Sequence, residues 1–280
     1  MTMNNFDELK AYYGYDIKVA PKISIHQPTL KQIMDFGEEK YFSAIKSFTS
    51  VGADLKAQLW ILGIDYTQIN DYDLFLKLVS QLVSSKKKLY YKMSKDDPEK
   101  FLKLSNEEKE GMLINPMQLI LINPETSDSI DLADFDLYEH KDTKDIYLYN
   151  VKDDIMIDRV VYTMACETIR KLHGLERNNQ IPANEQTKMD LIEDAMDELE
   201  MAQMQGSQFK SIIKPLHSSL AVHCGLCGDE GLWHIPIGRA IENLKRITKE
   251  KDSDMLLQGA YSGFGSLKGI DKNRLSWTTD

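Results

Sequence analysis

Asp158 to Gly174 is the stretch that most limits what this chain can fold into. Asp158 is a residue of the N-cap type. Val160, Val161, Met164, Ala165, Thr168, Ile169 and Leu172 then recur at helical spacing, and Gly174 ends the run. A stripe of this kind covers one side of a helix and has to be buried against other elements. The sequence before it has a different period. MQLILI, from Met117, reads as a buried strand, SIDLADFDLYEH alternates apolar and polar residues, and DIYLYN and DIMID are further short strands separated by polar turns. A clear helix directly behind several short strands predicts an α+β fold, mainly helical, with a small antiparallel β section around residues 115–157.

The N-terminal part adds helices to this frame. Residues 12–27 alternate around a break at Pro21-Lys22, which predicts a short strand pair. Thr29 and Gln32 have capping-box spacing behind Pro28. Leu30, Ile33, Met34, Tyr41, Ile45 and Phe48 follow helical spacing, so a helix is expected over about 29–48, bent at Gly37. ADLKAQLWILG reads as a short helix stopped by Gly63. Asp71 is the expected cap of the next, whose stripe is Leu74, Phe75, Leu78, Val79, Leu82 and Val83. Residues 86–111 are charge-rich and weakly apolar, the composition of a solvated connector. They place a domain boundary near 111, dividing 1–111 from 112–280, unless the chain forms one continuous domain.

Composition narrows the function classes. A formal net charge of −10 over 280 residues argues against an extended nucleic-acid-binding surface. The Lys86-Lys87-Lys88 run is short and is followed by acidic sequence, so it reads as a solvated turn. No apolar stretch approaches the roughly 20 residues needed to span a bilayer. The acidic, aromatic start MTMNNFDELKAYYGYDI lacks the basic-then-apolar pattern of a signal peptide. Three cysteines do not make a disulfide framework, so a reducing compartment is expected.

The one cluster with metal-binding chemistry lies between residues 217 and 234. Cys224-x-x-Cys227 is a chelating half-site, and His234 with either His217 or His223 completes a drawable zinc set. The spacing opposes it, because structural zinc sites usually pair two half-sites a dozen or more residues apart. The alternative is a glycine-rich turn holding small buried cysteines. No organic cofactor is implied, and nucleophile-elbow, phosphate-loop, zincin and dinucleotide motifs are all missing. Asp131, Asp134 and Asp136 lack the glycine and closing glutamate of a calcium loop and read as the wet face of a strand. Cys166, inside the Asp158 helix and without a histidine nearby in sequence, reads as inert.

Two stretches look made for contact. The helix expected from Asn184 carries seven acidic side chains against one lysine, around a narrow seam of Met189, Ile192, Met196 and Leu199. That pattern suits a surface helix packed on one neighbour, or a helix that meets a partner subunit. The tail LLQGAYSGFGSLKGIDKNRLSW reads as a glycine-containing arm with aromatic anchors at Tyr261, Phe264 and Trp277.

ISIHQPTLKQIMDFGEEKYFSAI, the segment ending GIDY, NEQTKMDLIED, IPIGRAIENLKRI and the tail together resemble a tail-module protein family of tailed bacteriophages of Gram-positive hosts. The resemblance touches both ends and the middle of the chain. Proteins of that kind are described as tail assembly or tail-completion proteins, or as chaperones of the tape-measure protein. The resemblance implies a non-enzymatic protein that binds other phage tail proteins, located in the host cytoplasm during assembly or in the virion tail. Self-association is left open. It carries no catalytic residue and says nothing of the His/Cys cluster. A zinc-stabilised binding module and an enzyme with a site assembled from distant residues are the alternatives.

Overall fold

A computed structural model describes residues 5–79, 98–103, 116–205, 209–223 and 229–263, together with 268, 270 and 274. The fold is α+β and mainly helical, with two small three-stranded antiparallel sheets. A helix that the sequence pattern did not announce, α1 (Asn5–Tyr12), leads into β1 (Ile17–Ala20) and β2 (Ile23–Ile25), which form the expected hairpin around Pro21 and Lys22. Its third strand comes from far along the chain. Only Leu121–Ile122 of MQLILI is strand (β3), paired with β2, while residues 116–119 form a 3-10 turn.

The bend at Gly37 is a full break between two helices. α2 (Leu30–Phe36) starts on a complete Thr29/Gln32 capping box, and α3 (Glu38–Thr49) starts immediately after Gly37. Gly37 sits at φ 110°, a backbone region that side chains disfavour. α4 (Lys56–Ile61) ends as expected, with Gly63 at φ 69° and the Ile64 amide returning to the Leu59 carbonyl at 2.8 Å. The next helix, α5, covers residues 71–79 and is capped by Asn70, not Asp71. The Asn70 Oδ1 accepts from the Asp73 amide at 2.9 Å, while the Asp71 carboxylate is held by Arg177 at 3.0 Å. Both residue types cap well, and the choice falls to Asn70 because Asp71 already lies inside the first turn. Residues 80–97 and 104–115, including Lys86–Lys88 and the expected boundary at 111, lie outside the described residues, and α6 (Pro98–Lys103) stands between them.

The second sheet is β4 (Asp136–Glu139), β5 (Ile146–Asn150) and β6 (Ile155–Ile157). It is shorter than the alternation in SIDLADFDLYEH predicts. Residues 132–134 form a 3-10 turn in which Asp131 accepts from the Ala133 amide at 2.9 Å and from Gln118 at 2.7 Å, so Asp131 serves as a cap rather than as a strand residue.

α7 (Arg159–Leu172) follows, capped by Asp158, whose Oδ1 accepts from the Val161 amide at 2.8 Å. Its buried stripe is rotated from the expected one. Ala165, Thr168, Ile169 and Leu172 are buried as expected and Val161 and Met164 are half-buried, while Tyr162 and Cys166 join the buried side and Val160 is 65% exposed. The bulky Tyr162 ring fixes that rotation. It stacks on Phe75 at 4.4 Å and lies near Phe48 and Tyr72, while its hydroxyl donates to the Phe48 carbonyl at 3.1 Å. This aromatic cluster joins α3, α5 and α7, and the Tyr72 hydroxyl ties it to β6 by donating to the Ile157 carbonyl at 2.8 Å.

α8 (Glu185–Gln205), α9 (Ile213–His223), α10 (Asp229–Trp233) and α11 (Ile237–Tyr261) are the remaining elements among the described residues. The stretch LLQGAY, expected in an arm, is the last turn and a half of α11. The start of α11 is clipped to the start of α2: the Ile237 amide donates to the Pro28 carbonyl at 3.0 Å and the Leu30 amide to the Ile235 carbonyl at 3.1 Å. The main buried cluster therefore takes residues from Ala11 to Ala240, on both sides of position 111. A smaller cluster of Val51, Ala53, Leu59, Tyr66, Leu74 and Ile192 lies under α8. Among the described residues no helix is long and apolar enough to cross a membrane.

Candidate functional site

The fold places the sequence candidates in three regions. In the His/Cys cluster, Cys224 and Cys227 lie outside the described residues. His217, on α9, stacks on Trp233 with ring centroids 4.4 Å apart, and its buried Nε2 has no hydrogen-bond partner among the described residues. His234, next to Trp233, is exposed. His223, also exposed, directs Nδ1 to the Ser219 carbonyl at 2.8 Å, an ordinary helix-end contact. Among the described residues no three histidine, cysteine or acidic side chains converge on a metal position.

The acidic helix is anchored by its apolar seam. Ile192 is 2% exposed within the smaller core cluster, Met196 packs against that cluster, Leu199 is half-buried and Met189 is 38% exposed. Lys188, the helix's one cation, reaches back to Asp65 at 2.8 Å and contacts Glu185 at 3.2 Å. Its bond to Lys188 holds the Asp65 carboxyl below the usual carboxylate range. All seven acidic side chains of α8 are exposed. Met201, about two and a half turns beyond Ile192, falls on the opposite side of the helix, and Met204 is 75% exposed. At the end of α11, Tyr261 is 88% exposed, while Phe264 and Trp277 lie outside the described residues.

The third region was not foreseen. A cavity of about 900 Å³ opens between α3, the C-terminal end of α7, the approach to α9, and α11. Phe42, Ile45, Leu175, Phe209, Pro215 and Leu244 give it an apolar wall. Two buried polar side chains, Arg170 of α7 and His173 at its C-cap, lie on the same wall, three residues apart and so on one side of the helix end. His173 accepts at Nε2 from the Tyr41 hydroxyl at 2.7 Å and donates from Nδ1 to the Ile169 carbonyl at 2.7 Å, the carbonyl fixing the tautomer. Burial pushes His173 down to about 4 and raises the Tyr41 hydroxyl, so the pair is neutral. With both ring nitrogens occupied, His173 has no free base to offer. Arg170 donates to the Thr49 carbonyl at the end of α3. Cys166, one turn before Arg170, is buried and its thiol is pushed up by desolvation, which removes thiolate chemistry.

The sequence signal for this wall is faint: an arginine and a histidine just ahead of a helix-ending glycine read as ordinary C-terminal charge. Compared with protein-family models, with curated proteins and with solved structures, the chain matches none.

Proposed function

We propose that this protein is a non-enzymatic component of bacteriophage tail assembly that acts by binding other tail proteins, as a chaperone of tape-measure or tail-tube proteins or as part of the tail. The observation that carries the binding reading is the outward side of α8. Its seam is already spent on the fold at Ile192 and Met196, yet seven carboxylates and the exposed Met201 and Met204 remain on the surface. A methionine-bearing, acidic helix face is adaptable in shape and selective for positive charge, which suits a basic amphipathic helix as the partner. Tyr261, with Phe264 and Trp277 beyond it, supplies aromatic groups for a second contact. The assignment to tail assembly, rather than to binding in general, rests on the family resemblance of the sequence.

The test is complex formation between the purified protein and the tape-measure and tail-tube proteins of the same phage. A complex that weakens with salt and is lost in the Asp194→Lys/Asp197→Lys/Glu198→Lys variant is expected. No complex with either protein overturns the reading. Antibody detection in finished particles separates the roles: a chaperone is absent from them, and a structural part is present in fixed number.

A zinc-stabilised module is the second reading, favoured by the buried Nε2 of His217, which has no partner among the described residues. The set would be Cys224, Cys227, His234 and His217. Native mass spectrometry with and without a chelator decides it, since a mass equal to the bare polypeptide sinks this reading.

A further inference from the structure

The cavity behind α3 contains an unresolved charge. Arg170 is 9% exposed, and among the described residues its guanidinium makes a single hydrogen bond, to the Thr49 carbonyl, with no carboxylate at ion-pair distance. Thr49 and Ser50 line the cavity, so that bond fixes the guanidinium end of Arg170 at the cavity wall. A guanidinium has five N–H donors and cannot give up its charge, and its partial burial carries a cost that cavity water or an anion must offset: among the described residues none of its nitrogens is both sealed from solvent and unpaired, so the donors left over from Thr49 face the open cavity. The negative end of the α3 dipole offsets part of this cost but leaves the fork of remaining donors unused. Charges at the rim do not supply the missing anion. Lys46 and Lys210 stand there against Asp54 and Glu176, and the Asp54 carboxylate is already held by the Val51 amide at 2.9 Å and Asn178 at 2.9 Å.

We infer that this cavity is a binding site for a small amphipathic carboxylate, a linear or branched aliphatic acid whose carboxylate pairs with Arg170 and whose apolar body lies against Phe42, Ile45, Leu216 and Leu244. The volume supports it, since ligand pockets run from roughly 300 to 1,000 Å³ and are mostly apolar with a few placed polar groups. The chemistry supports a carboxylate in particular, because the planar fork of arginine matches its two oxygens. His173 would not compete for the acid. Its two nitrogens are taken by Tyr41 and Ile169, so it forms neutral wall beside the charge. This inference is independent of the tail-assembly reading.

Calorimetric titration of the full chain with dodecanoate, and with dodecanol as the uncharged counterpart, tests it. Saturable binding of about one dodecanoate per chain is expected, at least about tenfold tighter than dodecanol. Arg170→Gln should erase that preference for the acid. Because Arg170 also holds the end of α3, a second variant guards against a folding defect: Lys46→Glu reverses a charge on the cavity lining at an exposed position, and should weaken dodecanoate at least about tenfold while leaving dodecanol unchanged. No saturable dodecanoate binding up to about 1 mM, or equal affinity for acid and alcohol, overturns the inference. So does dodecanoate affinity unaltered in a folded Arg170→Gln or in Lys46→Glu.

Discussion

The Tyr41 hydroxyl donates to Nε2 of His173 at 2.7 Å across the packed interface of α3 and α7, and both residues are buried. The bond requires a neutral imidazole, and so makes the fold sensitive to acid. Burial lowers His173 to about 4 from an ordinary 6.5, so below 6.5 the unfolded chain takes up a proton that the folded chain refuses. Stability therefore rises with pH between about 4 and 6.5, and falls as the pH drops through that window. The shift corresponds to about 3 kcal/mol. Urea unfolding midpoints measured at pH 7 and pH 5 should differ more in the wild type than in His173→Gln, which has no imidazole to titrate.

Removing the donor tests the same bond from its other side. Tyr41→Phe leaves Nε2 of His173 buried without a partner, and the expected loss is about 1–3 kcal/mol. Denaturant titration at pH 7 reads it directly, and an unchanged midpoint would mean that the buried nitrogen finds another donor.

Glu38 is the remote cap of α9. Its carboxylate accepts from the Ser211 hydroxyl at 2.8 Å, from the Ile213 amide at 2.7 Å and from the Ile212 amide. These are donors that the first turn of a helix cannot satisfy itself. Glu38→Ala should cost about 1–2 kcal/mol and release the amides of Ile212 and Ile213 to rapid hydrogen exchange. Glu38→Gln, which keeps one acceptor oxygen, should cost less.

Gly52 stands where the backbone passes close to Tyr66, and a Cβ there would overlap the Tyr66 carbonyl oxygen. Main chain yields less readily than a side-chain tip, so Gly52→Ala should destabilise by about 1–3 kcal/mol. A thermal midpoint equal to that of the wild type would show that the loop before α5 shifts freely.

On α8 the two sides of one helix should respond differently. Ile192→Ala empties a position in the smaller core cluster and is expected to cost about 2–4 kcal/mol. Met201→Ala, at 52% exposure on the opposite side, should stay within about 0.5 kcal/mol of the wild type in stability. A partner that uses this face would lose affinity for the Met201 variant alone.

Sequence by itself determined the local grammar of this protein. The Thr29/Gln32 box, the interruption at Gly37 though not a full break there, the end of α4 at Gly63, the Asp158 cap and the stop at Gly174 were legible, because each depends on residues within about one helical turn of one another. The pattern erred where several local choices were equally good. Asn70 or Asp71 could cap α5, and the alternation around Asp131 fitted strand as well as turn until Gln118 supplied its contact. Only the tertiary structure decided which side of α7 is buried, that Leu121–Ile122 completes a sheet begun near residue 17, and that Tyr41 meets His173 across 132 positions of chain. It also decided that Arg170 lies beside a cavity, with a helix end for company and, among the described residues, no carboxylate at ion-pair distance. Such pairings are fixed by which surfaces pack together, and hydrophobic burial is non-directional, so no spacing along the chain records them.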